Sequence, residues 1–142
     1  MKKIFPIPLY LFIIVCFGVL NSCSIDDNNP PNFSINIMPI ESVDMDYEFT
    51  LGQTHEIKMT YTIPNDCYEF NDFLYEINGN QRTIAVINTV YDTDDCIEMP
   101  ESVEVSLNIE ITSTDTYSFR FYQGKDAEGN DLYLLRDVPV VE

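Results

Sequence analysis

The stretch Val103-Glu104-Val105-Ser106-Leu107-Asn108-Ile109-Glu110-Ile111 decides the fold class. Apolar residues fall on every second position. An extended backbone therefore puts Val103, Val105, Leu107, Ile109 and Ile111 on one face and Glu104, Ser106, Asn108 and Glu110 on the other. Strict alternation of this length reads as a strand of an antiparallel sheet with one face buried and one in water. Residues 55–63 repeat the design, with Ile57, Met59, Tyr61 and Ile63 inward and Glu56, Lys58, Thr60 and Thr62 outward. His55 opens this second strand and reads as an exposed edge residue.

Working outward, residues 33–40 form an opening strand that Pro39 ends or bends. Residues 70–77 and 82–91 flank Asn78-Gly79-Asn80, and Asn-Gly is the strongest short hairpin signal. Tyr117, Phe119 and Phe121 supply an inward aromatic stripe within residues 116–123. Residues 131–140 close the chain, entered through the turn Asp126-Ala127-Glu128-Gly129-Asn130. No stretch shows a sustained helical period. Strands at this spacing, broken by turn residues, predict an all-β fold: a seven-stranded antiparallel β-sandwich of immunoglobulin-like type. The stretch Ser113-Thr114-Asp115-Thr116-Tyr117-Ser118-Phe119 resembles the corner of such domains where a Tyr bonds back to upstream backbone. Thr116 stands where that corner usually has Gly. The antibody pattern itself fails, because the chain has no Trp and no Cys on the expected strands.

The N-terminus carries a different message. Met1-Lys2-Lys3 precedes an apolar run over residues 4–20, the parts of a secretory signal and short for a membrane span. Leu20-Asn21-Ser22-Cys23 then resembles the lipobox of bacterial lipoproteins, with Asn21 where a small residue is commonest. The resemblance implies a diacylglyceryl group on the Cys23 sulfur, palmitate-type acyl chains and cleavage before Cys23. Residues 1–22 would be a signal peptide, 23–32 a flexible tether and 33–142 the sandwich. The tether Ser24-Ile25-Asp26-Asp27-Asn28-Asn29-Pro30-Pro31-Asn32 is polar and Pro-rich. Its Asp26 and Asp27 resemble the export signal of surface lipoproteins of the Bacteroidota. That implies an outer-membrane anchor, facing the cell surface.

Of seven basic residues, Lys2 and Lys3 lie in the signal; five against 24 acidic residues leave −19 on residues 23–142. Such a charge repels nucleic acid and anionic lipid head groups, so the membrane contact expected is the anchor at Cys23. With Cys16 in the signal and Cys23 acylated, the lipoprotein resemblance leaves Cys67 and Cys96 as a pair in an oxidising compartment. They are expected to form one disulfide. In a sandwich of this type the connections after residues 63, 91 and 123 leave at one end, so Asp66, Asp94, Asp95, Asp126 and Glu128 would gather around that disulfide. The plainer reading of these loops is solvated turn formers. The other is a calcium site, since Ca²⁺ takes 6–8 oxygen ligands.

No catalytic constellation stands out. His55 is the sole imidazole and has no motif around it, and a pair of carboxylates carries no information in so acidic a chain. Tyr68, Phe70, Phe73 and Tyr75 cluster in sequence, and Tyr122 and Tyr133 are candidates to face outward; exposed aromatics stack on sugars or anchor protein contacts, while the plainer reading is that most of these rings are core. The expectation is a lipid-anchored, non-catalytic binding module offering its loop end to an envelope protein or a glycan. The alternative is a structural or accessory subunit of an envelope complex, with a calcium-stabilised adhesion or glycan-binding domain as a variant.

Overall fold

The two alternating stretches pair with each other. The computed structural model describes residues 32–142; the signal peptide, Cys23 and the tether up to Pro31 lie outside the described residues. In chain order the strands are β1 (Phe33–Met38), β2 (Ser42–Asp44), β3 (Phe49–Thr50), β4 (Thr54–Asn65), β5 (Tyr68–Asn78), β6 (Gln81–Tyr91), β7 (Glu98–Glu110), β8 (Tyr117–Lys125), β9 (Asp131–Val138) and β10 (Val140–Val141). β4 runs antiparallel to β7, Ile57 opposite Leu107 and Met59 opposite Val105. Their inward residues are buried or half-buried while Glu104, Ser106, Asn108 and Glu110 stay exposed, as the alternation requires. β2 adds to the free edge of β4, completing a three-stranded sheet.

The second sheet has five strands. β5 pairs along the whole of one edge of β6. The other edge of β6 is shared: β1 takes Val86 to Tyr91 and β8 takes Gln81 to Ile84, with β9 beyond β8. Tyr61, Phe49, Tyr117, Phe119 and Phe121 are the largest side chains between the layers, all 1% exposed or less. Each contributes about 1.5–3 kcal/mol of transfer free energy by leaving water.

The expected all-β sandwich is present, with three differences in its wiring. There are ten strands instead of seven: Pro139 divides the last predicted one, and β2 and β3 are short strands in the stretch between residues 40 and 55 that had none assigned. Pro39 ends β1; Ile40 N–H then donates to Tyr122 O in one sheet and Glu41 N–H to Thr60 O in the other, each at 2.8 Å. The chain changes layer in two residues at a place where one backbone donor is missing. Pro139 divides 131–140 in the same way, and β10 crosses to lie beside β3.

The sheets are also not wholly antiparallel: β6 runs parallel to β8, and β10 to β3. Finally, the immunoglobulin order puts the third predicted strand beside the sixth, whereas here the fourth, β6, takes that place and β5 becomes an edge. The reason lies in Ile84-Ala85-Val86, consecutive residues no more than 2% exposed. A strand apolar on both faces belongs in the middle of a sheet. The β5–β6 hairpin closes through Gly79 at φ 58°, a left-handed conformation that costs glycine little.

Candidate functional site

At the β8 entry, the Tyr117 hydroxyl accepts the Thr112 and Ser113 amides at 3.2 and 3.3 Å. The corner thus forms with Thr116 in the glycine position. Burial alone would raise the Tyr117 phenol, but those two amides and the Arg82 guanidinium, 4.9 Å from its ring, bring it below its ordinary value.

His55 departs from expectation. Its side chain is only 11% exposed, its ring packs 4.6 Å from Phe49, and both nitrogens are engaged. Nε2 accepts the Thr50 amide at 3.0 Å, which leaves Nδ1 to donate to Asp46 at 2.6 Å. The imidazole fastens the β2–β3 segment to β4 and is not free for chemistry. Across the core, the Asn88 amide and the Tyr61 hydroxyl are neighbours, buried and outside hydrogen-bond geometry.

The disulfide end is built as a clasp. Cys67 and Cys96 are bridged with Cα atoms 5.6 Å apart. Asp66 accepts the Ile97 amide at 2.8 Å, and Asn65 accepts the Cys67 amide at 3.1 Å. Asp94 and Asp95 are exposed. Asp126 is turned onto its own loop, accepting from Asn130 Nδ2 at 2.9 Å, Asn130 N at 2.8 Å and Glu128 N at 3.0 Å. The Asn130 side chain first, then these amides, hold its carboxyl below the ordinary range. Glu128 points to solvent. The five carboxylates proposed for calcium are not brought together: among the described residues, no group of three or more acidic, His or Cys side chains is arranged to hold a metal ion.

What the structure does assemble is a surface. On the five-stranded sheet, the face turned away from the core carries exposed apolar side chains among charged ones: Asp72 and Glu76 on β5, Arg120 and Lys125 on β8, and Asp131 and Asp137 on β9. Phe33, Ile35 and Ile37 of β1 lie on it at 56, 54 and 46% exposure, and Leu135 of β9 at 63%. Register places its residues in rows. Glu76, Thr83, Arg120 and Leu135 form one row across β5, β6, β8 and β9. Leu74, Ala85, Tyr122 and Tyr133 form the next, over a depression of about 160 Å³ floored by Ala85.

The two tyrosines meet edge to face at 6.1 Å, and the Arg120 guanidinium lies 4.0 Å from the Tyr133 ring. Lys125, paired with Asp131, borders the depression and has its charged form favoured by that carboxylate. The outward reading of Tyr122 and Tyr133 therefore holds. Phe73 and Tyr68 pack on the core, as the plainer reading had it, with the Phe70 ring 5.1 Å from Phe73. The opposite face, on the three-stranded sheet, is polar, carrying Glu56, Lys58, Thr60, Glu104, Ser106 and Asn108.

A two-layered β-sandwich without an assembled catalytic set among the described residues is the class this geometry defines. Residues 57–132, more than half of the chain, match the ORF11 beta-sandwich domain family, and the protein belongs to it. No curated protein and no solved structure matches the chain.

Proposed function

We propose that this chain is a lipid-anchored lipoprotein of the outer membrane, facing the cell surface, whose sandwich is a non-catalytic interaction module. One observation carries the reading of the module: Phe33, Ile35, Ile37, Leu74 and Leu135 stay exposed on one sheet face of a strongly acidic domain. Contiguous apolar patches of this kind mark places where another molecule docks. The anchor rests on Leu20-Asn21-Ser22-Cys23 and the polar tether that follows it. The binding surface is the outer face of the five-stranded sheet rather than the loop end, whose carboxylates are solvated or committed to their own turns. An accessory subunit held by another envelope protein would use the same face.

Metabolic labelling with a fatty acid should mark the wild-type protein and leave Cys23→Ser unmarked; a labelled Ser variant overturns the anchor. A photo-crosslinking side chain introduced at Leu135 should give adducts in the intact envelope, and one at Ser106, on the polar face, should not. Equal yields at the two positions would remove the module reading.

A further inference from the structure

We propose that the outer face of β8 and β9 binds a neutral saccharide, held by its hydroxyl groups. The proposal rests on the reading of the five-stranded sheet's outer face as the docking surface, and it names the chemistry of the occupant. A depression of about 560 Å³ opens there, with Gln81, Ser118, Arg120, Leu135 and Asp137 among its lining residues. That volume falls within the range of roughly 300–1,000 Å³ taken by small-molecule sites. Tyr133 and Asp131 line it too, and both also line the smaller depression over Ala85, so the two hollows adjoin along β9. Register sorts the chemistry across the strands. Gln81, Ser118 and Asp137 share one row, Thr83, Arg120 and Leu135 the next, and Tyr122 and Tyr133 stand in the third. A hydrogen-bonding margin thus grades into an aromatic one.

Much of the hydrogen-bonding capacity in the larger hollow is uncommitted. Ser118 Oγ donates to Asp137 Oδ1 at 2.7 Å, which leaves Oδ2 of that carboxylate open to a ligand hydroxyl. Among the described residues the Arg120 guanidinium makes no ion pair and no hydrogen bond, yet the Tyr133 ring 4.0 Å away holds it in place. Gln81 gives its backbone carbonyl to Arg82, and its side-chain amide has no partner among the described residues. An acceptor and a planar donor on adjacent rows suit neighbouring ring hydroxyls, each of which both donates and accepts. Leu135, the next outward residue along β9 from Asp137, offers apolar surface to the C–H face of a sugar ring, as do the two tyrosines.

Charge selects a neutral ligand. Around the two hollows Arg120 and Lys125 stand against Asp131 and Asp137, and Lys125 is already paired with Asp131. The lining is therefore balanced, on a domain that is strongly acidic as a whole. An anion would be repelled by the field of the domain and would meet Asp137. A polycation would meet Arg120. A wholly apolar ligand would take Arg120 and Asp137 out of water without partners, a cost that hydroxyls avoid. A polyhydroxyl ligand satisfies donor and acceptor together and leaves the charge balance as it is. The guanidinium already seated on Tyr133 reduces the entropy lost on binding.

The test uses the full-length protein in a sugar-free detergent, run in native gels cast with a neutral polysaccharide (dextran, mannan or xylan) or with anionic dextran sulfate. Retardation by at least one neutral polymer, and none by dextran sulfate, is expected. Arg120→Met and Asp137→Ala should each weaken that retardation about tenfold, through loss of a hydrogen bond to a charged group. Ser106→Ala, on the polar sheet, should leave it unchanged. Both substituted side chains stand outside the core, so the thermal melts of the two variants should stay close to that of wild type. No retardation by any of the three neutral polymers overturns the saccharide. So does retardation that survives both substitutions, or that dextran sulfate produces equally well. If a photo-crosslinker at Leu135 then captures a protein in the envelope, the docking face stands and its occupant is that protein. If it captures nothing, both readings fall.

Discussion

Tyr117 shows how much one hydroxyl can organise. It closes the turn into β8 by accepting two amides that otherwise have no acceptor there. Tyr117→Phe should lower stability by about 1–3 kcal/mol, read from urea or thermal melts, because the amides lose their partner inside a nearly dry site. A melt unchanged by the substitution would mean that water replaces the hydroxyl. Asp126 makes a pH-dependent contribution of the same local kind. Its folded carboxyl lies below the ordinary 3.8, so its contribution is complete above that value and is lost as the pH falls below it. The difference in melting temperature between wild type and Asp126→Ala should shrink as pH is lowered through that range. Tyr117 was legible from its neighbours in sequence. His55 was not, because its partners Asp46 and Thr50 belong to a short segment that no pattern announces.

At the scale of elements, alternation located β4 and β7 well, since a strand with one wet face writes its period into its side chains. It located the predicted strands at 33–40 and 131–140, with Pro39 ending or bending the first, but missed that the chain after Pro39 crosses to pair with β4 and that Pro139 cuts the last strand and sends β10 beside β3. It also missed the order of β5 and β6. Turn residues say that two strands form a hairpin, and only the unbroken run Ile84-Ala85-Val86 says which of the two is central. The disulfide survives this rewiring because the connection from β4 to β5 and that from β6 to β7 still leave at the same end. Cys67→Ser with Cys96→Ser should lower stability by about 3–4 kcal/mol on loop-closure grounds, measured by denaturant unfolding against the oxidised protein. A loss below about 1 kcal/mol would show that the Asp66–Ile97 contact already holds the clasp.

For the whole molecule, the sequence hid its most informative surface. Phe33, Ile35 and Ile37 alternate like core residues, and a single strand cannot state which of its two faces meets the other sheet. Acidic composition drew attention to the loops instead, where Asp and Asn serve turn geometry. The exposed apolar strip exists only where β1, β5, β6, β8 and β9 lie side by side. Its composition is a property of register, and register is not local to any one strand.

The parallel seam between β6 and β8 has a consequence in time. Antiparallel neighbours can zip from a hairpin, but these two strands are joined through β7 in the opposite layer, so their pairing must wait for that excursion to finish. A chain emerging N-terminus first, with anything after residue 117 missing, has no edge for the Gln81-to-Ile84 half of β6 and no aromatic layer to lay over Phe49. Folding of that half of the sheet is thereby deferred until the residues from 117 onward have been made.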